Sequence, residues 1–211
     1  MAIARREVVK IAGDLAVEFA NTVHTPGDPA GSLHSWSDLV DFLELRGGVS
    51  PADGAVLRAM GATDARRCAA AFAEAIRLRE TSRAMLDAMA RKRSLRAGWV
   101  AEVNQALASG AGASRLVRQD NGWRLGLVPG PAGPLRVLAP IAGAVADLAA
   151  SGRSVEIRKC ANPRCLLYFR DRSRTSRRRW CSMAVCGNRM KVAAHARRHG
   201  RRRPGGRQRS A

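Results

Sequence analysis

Four of the five cysteines lie in a short arginine-rich segment near the end of the chain. They are spaced as two pairs, Cys160-x4-Cys165 and Cys181-x4-Cys186, with 15 residues between the pairs. Two thiolate pairs joined by a loop are typical of a tetrahedral Zn²⁺ site, because each pair can occupy one edge of the tetrahedron. The alternative is buried or disulfide-bonded cysteine, but the charged surroundings offer little apolar core. The spacing predicts one structural zinc ion bound by these four residues.

The residues beside the cysteines favour a small fold built around the metal. Asn162-Pro163 predicts a tight turn that brings backbone N–H groups toward the thiolates. Leu167, Phe169 and Trp180 are expected to form a small apolar cluster. Zinc binding energies of roughly 10–16 kcal/mol dominate folds of this size, so we expect the segment to be unfolded without metal.

Charge divides the chain into two unequal parts. The formal net charge is +20. Residues 1–150 hold 18 Lys and Arg against 15 Asp and Glu, whereas residues 151–211 hold 19 against 2. Four thiolates around zinc carry a local charge of about −2, which offsets only a few of these cations. The concentrated positive charge predicts a polyanionic partner, with nucleic acid as the first candidate.

Residues 170–179 form a basic loop between the two cysteine pairs, in which arginine is interspersed with serine and threonine. These residue types bind phosphate, and six such contacts would give a salt slope of about −5 on duplex DNA. A solvated loop is the alternative, and Arg189 has a second interpretation in which it binds Asp171 or a carbonyl and stabilises the finger. The predicted nucleic-acid-binding residues are Arg172, Arg174, Arg177, Arg178, Arg179, Arg189, Lys191, His195 and Arg198.

A helix is predicted over residues 189–199, with Asn188 as its N-cap. Its basic residues fall on one side, whereas Val192 and two alanines fall on the other, where we expect them to pack on the cysteine-containing segment. Gly187 is expected to adopt a backbone conformation closed to other residues. Such a helix could present its cationic side to a phosphate backbone or groove.

Two motifs carry a family resemblance. Residues 186–189 read Cys-Gly-Asn-Arg and follow arginine-rich segments. Together these closely resemble the CGNR zinc finger, a bacterial C-terminal module, over residues 156–199. Residues 18–23 read Glu-Phe-Ala-Asn-Thr-Val and resemble the Asp-Phe-Val-Asn-Thr opening of the ABATE domain that usually precedes this finger, with glutamate where aspartate is more usual. The resemblance implies a stress-induced transcriptional regulator whose finger binds DNA.

The resemblance and the composition together predict the organisation of the chain. We expect a mainly α, α+β N-terminal domain with a small β-hairpin over residues 1–152, the zinc finger over 153–200, and a disordered basic tail over 201–211. We expect the N-terminal domain to sense a signal or to mediate dimerisation. The expected partners therefore include a small-molecule effector and a second copy of the chain. The best place for an effector is near Asn21, Thr22 and His24.

Hydrophobic periodicity and capping residues predict the elements of the N-terminal domain. Residues 8–23 are a strand or a short helix, and a helix begins near Ser37 with Ser35 or Ser37 as its cap. The further helices are expected at 51–60, 64–93, 94–108 and 141–150, with a hairpin turning at Asn121-Gly122 and a strand-like segment at 155–157. Cys68 is expected to be a small buried residue of the long helix.

Two other classes of function compete with a DNA-binding regulator. An RNA-binding or ribosome-associated protein would also use a basic tail and a four-cysteine module, although few exposed aromatics are available for stacking on bases. For an enzyme there is no nucleotide-binding glycine loop and no G-x-S-x-G motif, and His24 and His34 are isolated loop histidines. We therefore expect no catalytic residues and no bound organic cofactor.

Location follows from two absences in the sequence. No run approaches the roughly 20 apolar residues that span a bilayer, and residues 1–7 lack the apolar core of a secretory signal. Reduced cysteines available to metal fit the cytoplasm. The sequence therefore predicts a cytoplasmic, nucleoid-associated protein with no membrane partner.

Overall fold

A computed structural model describes residues 14–23, 32–110, 113–119, 122–128 and 133–200. The helices are α1 Leu15–Ala20, α2 Trp36–Leu45, α3 Pro51–Thr63, α4 Ala65–Ala90, α5 Ala97–Gly110, α6 Leu138–Ala150 and α7 Asn188–Gly200. The strands are β1 Ala113–Gln119, β2 Gly122–Val128, β3 Ile157–Lys159 and β4 Tyr168–Arg170. The strands form two separate antiparallel pairs, β1 with β2 and β3 with β4. The predicted fold class, mainly α with a small hairpin and a compact four-cysteine segment, is confirmed.

Side-chain caps fix the starts of the first three helices. Asp14 accepts a hydrogen bond from the backbone N–H of Ala16, so residues 15–20 form a helix and not a strand. Ser35 caps α2, and Ser50 caps α3 with Pro51 at its first position. Ser50 was predicted as a cap, and Ser35 is one of the two caps considered for α2.

Helix α4 is the central element, 26 residues long, and ends earlier than predicted. Its chain turns at Lys92, which has a left-handed φ of 57°, and the N–H of Arg93 bonds the carbonyl of Ala88. This turn ends α4 and forms a sharp corner between α4 and α5. In the described part of the chain no helix, α4 included, combines the length and apolarity required to cross a membrane.

One large core lies between α1, α4 and α6, which all contribute residues to it. Phe19 of α1, Leu43 of α2 and Ile141 of α6 are completely buried there. Ile157 and Tyr168, which follow the predicted boundary at residue 152, belong to the same core. The β3–β4 hairpin therefore packs on the helical part of the molecule through α4 and α1.

The β1–β2 hairpin agrees with the predicted turn region but differs in register by one residue. Gly122 already pairs with Gln119, so it lies in the ladder and not at the centre of the turn. Residues 120 and 121 are outside the described residues. So are the loop 24–31, with His24 and Asp28, and the tail 201–211.

Candidate metal centre and its basic surround

The four predicted cysteines converge on one point. Their Sγ atoms all lie within 4.8 Å of one another, and Sγ–Sγ distances are 3.7 Å for Cys165–Cys181 and 3.6 Å for Cys181–Cys186. A tetrahedral zinc ion with bonds of about 2.3 Å places its sulfur ligands about 3.8 Å apart. A disulfide would require about 2.05 Å, so the arrangement fits metal ligation and not oxidation.

Each cysteine is positioned by a different local structure. Cys160 directly follows β3, and Cys165 follows a turn closed by its own N–H to the carbonyl of Asn162, 2.9 Å away. Cys181 lies after the basic loop, and Cys186 lies in a π-helical turn, Met183–Gly187. The Ala161 N–H donates to the carbonyl of Arg179 at 2.9 Å, which holds the segment of the first pair beside that of the second.

Hydrogen bonds from N–H groups offset the charge that four thiolates would concentrate. The backbone N–H of Cys181 donates to Cys160 Sγ at 3.5 Å, and the Asn162 side-chain amide donates to Cys186 Sγ at 3.3 Å. Asn162 is itself buried, and its carbonyl oxygen accepts from the N–H of Arg164 at 3.1 Å. The Asn-Pro turn therefore supplies a side-chain donor to Cys186, where backbone N–H donors were predicted.

Burial and mutual hydrogen bonding perturb the thiols in opposite directions. The hydrogen bond with Cys181 lowers the pKa of Cys165 to about 5, whereas burial raises the pKa of Cys160. The hydrogen bond with Cys165 raises the pKa of Cys181. The thiolate of Cys165 is thus favoured by the fold alone, whereas Cys160 and Cys181 would need the charge of a metal ion to ionise.

The donor set fits zinc in a closed structural site. Four sulfur atoms satisfy tetrahedral coordination without an open position for water. These cysteines, all free, can bind one zinc ion. Such an ion would fix the geometry of the chain around it and supply no reactive ligand.

Little apolar packing supports this centre. Phe169 is fully buried among the cysteines, with Leu167 and Trp180 partly buried beside it. These are the three residues predicted for the cluster. Gly187 also packs tightly here: a Cβ at this position would collide with the Met183 sulfur, and its φ is not in the left-handed region. The prediction of a special backbone conformation at Gly187 was therefore wrong, and a larger residue here would require the half-exposed Met183 side chain to move.

A buried carboxylate organises the basic loop. Asp171 accepts hydrogen bonds from the N–H and hydroxyl of Ser173, at 3.0 and 2.6 Å, and from the N–H of Arg178 at 2.9 Å. Arg158 of β3 pairs with it at 3.2 Å. Burial alone would raise the pKa of Asp171, but the bonds from Ser173 and Arg178 hold that pKa below its usual value. Arg189 is not the partner of Asp171, contrary to the alternative considered for it.

The arginines of the loop divide into two groups. Arg172, Arg174, Arg177 and Arg179 are exposed, and Arg179 lies over the Trp180 ring at 5.2 Å. Arg178 turns inward. Its guanidinium donates to the carbonyls of Trp180, at 2.9 Å, and Cys181, and stacks on Phe169 at 4.6 Å. Arg178 thus supports the metal loop, so we do not count it among the proposed contacts to nucleic acid.

Helix α7 differs from the prediction at its start and along its apolar side. Asn188 is already helical, with φ −64° and ψ −42°, because the π-helical turn runs directly into α7 and is capped by Ser182. Val192 is 70% exposed and does not pack on the finger. Besides these departures, the predicted residues Arg189, Lys191, His195 and Arg198 are all exposed along the helix.

A polar clamp that sequence reasoning missed joins the finger to α1. The Asn21 side chain donates to the carbonyl of Tyr168 at 2.8 Å and accepts from its N–H at 2.9 Å. Arg83 of α4 donates to the carbonyls of Ala20, at 2.7 Å, and Leu166, at 3.4 Å, and lies over the Tyr168 ring. The only earlier signal was that Asn21 belongs to the N-terminal motif.

The remaining polar residues of that motif are also engaged inside the protein. Glu18 pairs with Arg46 at 2.5 Å, both side chains being more than nine-tenths buried, and Thr22 donates to the carbonyl of Phe19 at 2.8 Å. An effector site was expected near Asn21 and Thr22. The polar groups of these two residues are instead bonded within the protein and are not directed into a pocket. Cys68 is buried in α4 as predicted.

Cavities in the described part offer little room for a ligand. An apolar cavity of about 10 Å³, lined in part by Ala16, Met85 and Leu148, is just large enough for one water molecule. An open cleft of about 210 Å³ lies between Asp14, Asp147 and Arg170. Typical small-molecule sites begin at about 300 Å³.

Comparison with protein families agrees with this architecture. Residues 156–199 match the profile of the CGNR zinc finger. Residues 13–152 match that of the ABATE domain, described as "Putative stress-induced transcription regulator". No curated protein matches the chain significantly.

Proposed function

The chain belongs to the ABATE family of stress-induced transcription regulators and carries a CGNR zinc finger, and from this premise we propose that it regulates transcription by binding duplex DNA through the finger. Zinc fixes the finger, and the exposed basic residues around it contact the DNA. The family description names a regulator, and four thiolates around zinc leave no position for a reacting water.

The exposed basic loop carries this proposal. Asp171 ties both ends of the loop to the finger, so Arg172, Arg174 and Arg177 project from a fixed base into solvent. Arginine binds phosphate oxygens through a planar fork, and a held loop loses less conformational entropy on binding than a free one. These three side chains are proposed to bind the DNA backbone.

Helix α7 is the second element proposed to contact DNA. Its 13 residues give it a length of about 20 Å, and the element packed against it is the π-helical turn from which it continues. A helix of ordinary width fits the major groove of B-DNA, which is about 12 Å wide. Arg189 and Lys191, near the zinc centre, would approach the DNA together with the loop, and His195 and Arg198 would follow along the helix.

The N-terminal domain is proposed to sense a signal or to form a homodimer. A single finger buries little surface on DNA, and two linked fingers would bind more tightly through a higher effective concentration. A response to stress, a small-molecule effector and a cytoplasmic, nucleoid-associated location belong to this proposal. The family description supports the response to stress.

A salt-dependent titration against duplex DNA tests the proposal. We expect the zinc-loaded protein to bind with a slope of log affinity against log salt of about −5, and Arg189→Ala/Lys191→Ala to weaken binding and lower that slope by about 2. Arg66→Ala/Arg67→Ala removes the same charge from the exposed first turn of α4 and is the matched control. All proteins keep residues 201–211, so the tail contributes equally.

The competing function is decided in the same titration. Single-stranded RNA and a random DNA pool are included beside the duplex, and Cys181→Ser is measured with each. Sequence-enriched duplex binding that disappears in Cys181→Ser supports the regulator. Tighter binding to RNA would favour the RNA-binding alternative, and equal binding to every polyanion, unchanged in Cys181→Ser, would refute a role for the finger.

A further inference from the structure

We propose that the DNA-binding surface extends beyond the finger onto the corner between α4 and α5, where Arg93 and Arg96 bind backbone phosphates of the duplex. This inference rests on the proposed function and enlarges it. It makes the ABATE domain a direct part of the DNA interface, in addition to any role in sensing or dimerisation.

The charge of the N-terminal part is concentrated at this corner. Residues 87–96 contain four basic residues, at positions 91, 92, 93 and 96, and one acidic residue, Asp87, which gives a balance of +3. Residues 1–150 as a whole hold 18 basic against 15 acidic residues, also +3. The remainder of those 150 residues is therefore neutral, and the corner holds their entire excess of positive charge.

Direct contacts connect the corner to the basic loop of the finger. Lys92 pairs with the carboxylate of Glu156, whose other oxygen lies 3.3 Å from Arg158 of β3. Arg158 then donates to the carbonyl of Ser176, in the middle of the basic loop, at 2.5 Å. Three successive contacts thus lead from the α4–α5 corner to the loop, so both can face one continuous polyanion.

The cations of the corner differ in what already binds them. Arg91 pairs with Asp87 at 2.7 Å, and Lys92 is used by Glu156. Arg93 is exposed and its side chain has no ion pair among the described residues, and exposed Arg96 lies over the Trp99 ring at 5.0 Å. The first two residues shape the corner, and the last two present guanidinium groups that no carboxylate of the described residues binds.

The start of α5 adds to the positive field. Helix α5 begins at Ala97, directly after Arg96, and its 14 residues direct their macrodipole toward the corner. Ala97 and Gly98 are exposed, and a Cβ at Gly98 would meet nothing within 4 Å, so the first turn is uncovered. The first backbone N–H groups of a helix bind phosphate readily.

The test compares Arg93→Ala/Arg96→Ala with the control Arg66→Ala/Arg67→Ala in the full-length, zinc-loaded protein. The two pairs carry equal charge on opposite ends of α4, about 38 Å apart along a helix that rises 1.5 Å per residue. On duplex DNA long enough to reach both the finger and the corner, the corner variant should lower the salt slope by about 2, at 0.9 for each phosphate contact, and the control should change it little.

A second variant separates lost charge from lost packing against Trp99. Arg93→Lys/Arg96→Lys keeps both charges and should retain most of the salt slope. A salt slope in Arg93→Ala/Arg96→Ala equal to that of the control would refute phosphate binding by the corner. It would leave the finger's DNA binding intact. Failure of the wild-type protein to bind duplex DNA would overturn the proposed function as well, so the two failures are distinguishable.

Discussion

The helical part of this protein and its finger are held together by different means. Helices α1–α6 enclose a large apolar core, whereas the finger's own cluster consists of Phe169 and the four cysteines, with Leu167 and Trp180 at its edge. The finger instead has a metal site and a hydrogen-bonded contact with α1. The comparison teaches that a small basic module can expose most of its side chains when its stability comes from zinc and from a neighbour.

Both regions use arginine in two ways. In the helical part, Arg46 and Arg79 are buried in ion pairs, whereas Arg66, Arg93 and Arg96 are exposed. In the finger, Arg178 is turned inward, while Arg172, Arg174 and Arg177 remain on the surface. A polyanion can reach the second group without disrupting either core.

Removing zinc should have the largest effect and should divide the two regions. We expect Cys181→Ala, or chelation, to unfold the finger, because roughly 10–16 kcal/mol of metal binding energy is lost in a segment with little core. The helical part should stay folded at a lower Tm, since Ile157 and Tyr168 of the finger belong to its core. Amide NMR spectra with and without chelator measure both.

Cys68→Ala is the control for that experiment, because Cys68 is the buried cysteine outside the metal centre. It should lower the stability of the helical part and leave the zinc content at one ion. A finger whose amide signals stay dispersed after chelation would contradict the metal-held half of the comparison.

Asn21→Ala should weaken the joint between the regions. It leaves the buried N–H and carbonyl of Tyr168 without partners, which costs about 1–3 kcal/mol for each group. We expect a lower free energy of unfolding in urea and also weaker zinc binding, because the finger loses its support. Ser82→Ala removes a buried hydrogen bond within α4 and should lower stability without changing zinc affinity; equal zinc affinities in all three proteins would refute the coupling.

Two adjacent arginines should separate support of the finger from binding by it. Arg178→Ala removes hydrogen bonds to the carbonyls beside Cys181 and should lower the stability of the zinc-loaded finger by about 1–3 kcal/mol. Arg177→Ala, on the exposed surface, should leave zinc affinity unchanged and weaken DNA binding. Competition with a chromophoric chelator measures the first effect, and the salt titration measures the second; a drop in zinc affinity for Arg177→Ala would remove the distinction.

The smallest expected effect is a change in the ionisation of Tyr168, the single tyrosine of the chain. Burial, with the nearby Asp87 carboxylate, raises its pKa to about 12. The unfolded phenol has a pKa of about 10, so it releases its proton first, and the stabilising contribution is present below pH 10 and lost as pH rises toward 12. Absorbance of tyrosinate near pH 11 should rise on chelation if the finger leaves α1, and no rise would mean that it remains docked.

Much of the helical part follows from local patterns in the sequence. Ser50 is recognised as a cap because it precedes an apolar helical period, the cap of α2 is narrowed to Ser35 or Ser37, and Cys68 is recognised as buried by its place in α4. The helix boundaries were less accurate. The end of α4 depends on the turn at Lys92. This residue has a left-handed conformation, and no glycine in the sequence indicates it.

The sequence by itself determined the metal centre, since four cysteines at this spacing already provide the four ligands of a tetrahedral zinc ion. These residues are Cys160, Cys165, Cys181 and Cys186. It also determined the excess of positive charge around that centre, because charge is a property of composition. Neither conclusion needed to know how distant segments pack.

Only the tertiary structure decided which of these residues face inward and which segments meet. Asn21 and Tyr168 are 147 residues apart in the chain, and a hydrogen bond across that separation leaves no periodic signal in the sequence. The inward turn of Arg178, the exposure of Val192 and the proximity of Lys92 to Glu156 were likewise set by packing. Local patterns specify which elements form, and the shape of the shared core specifies what those elements bring together.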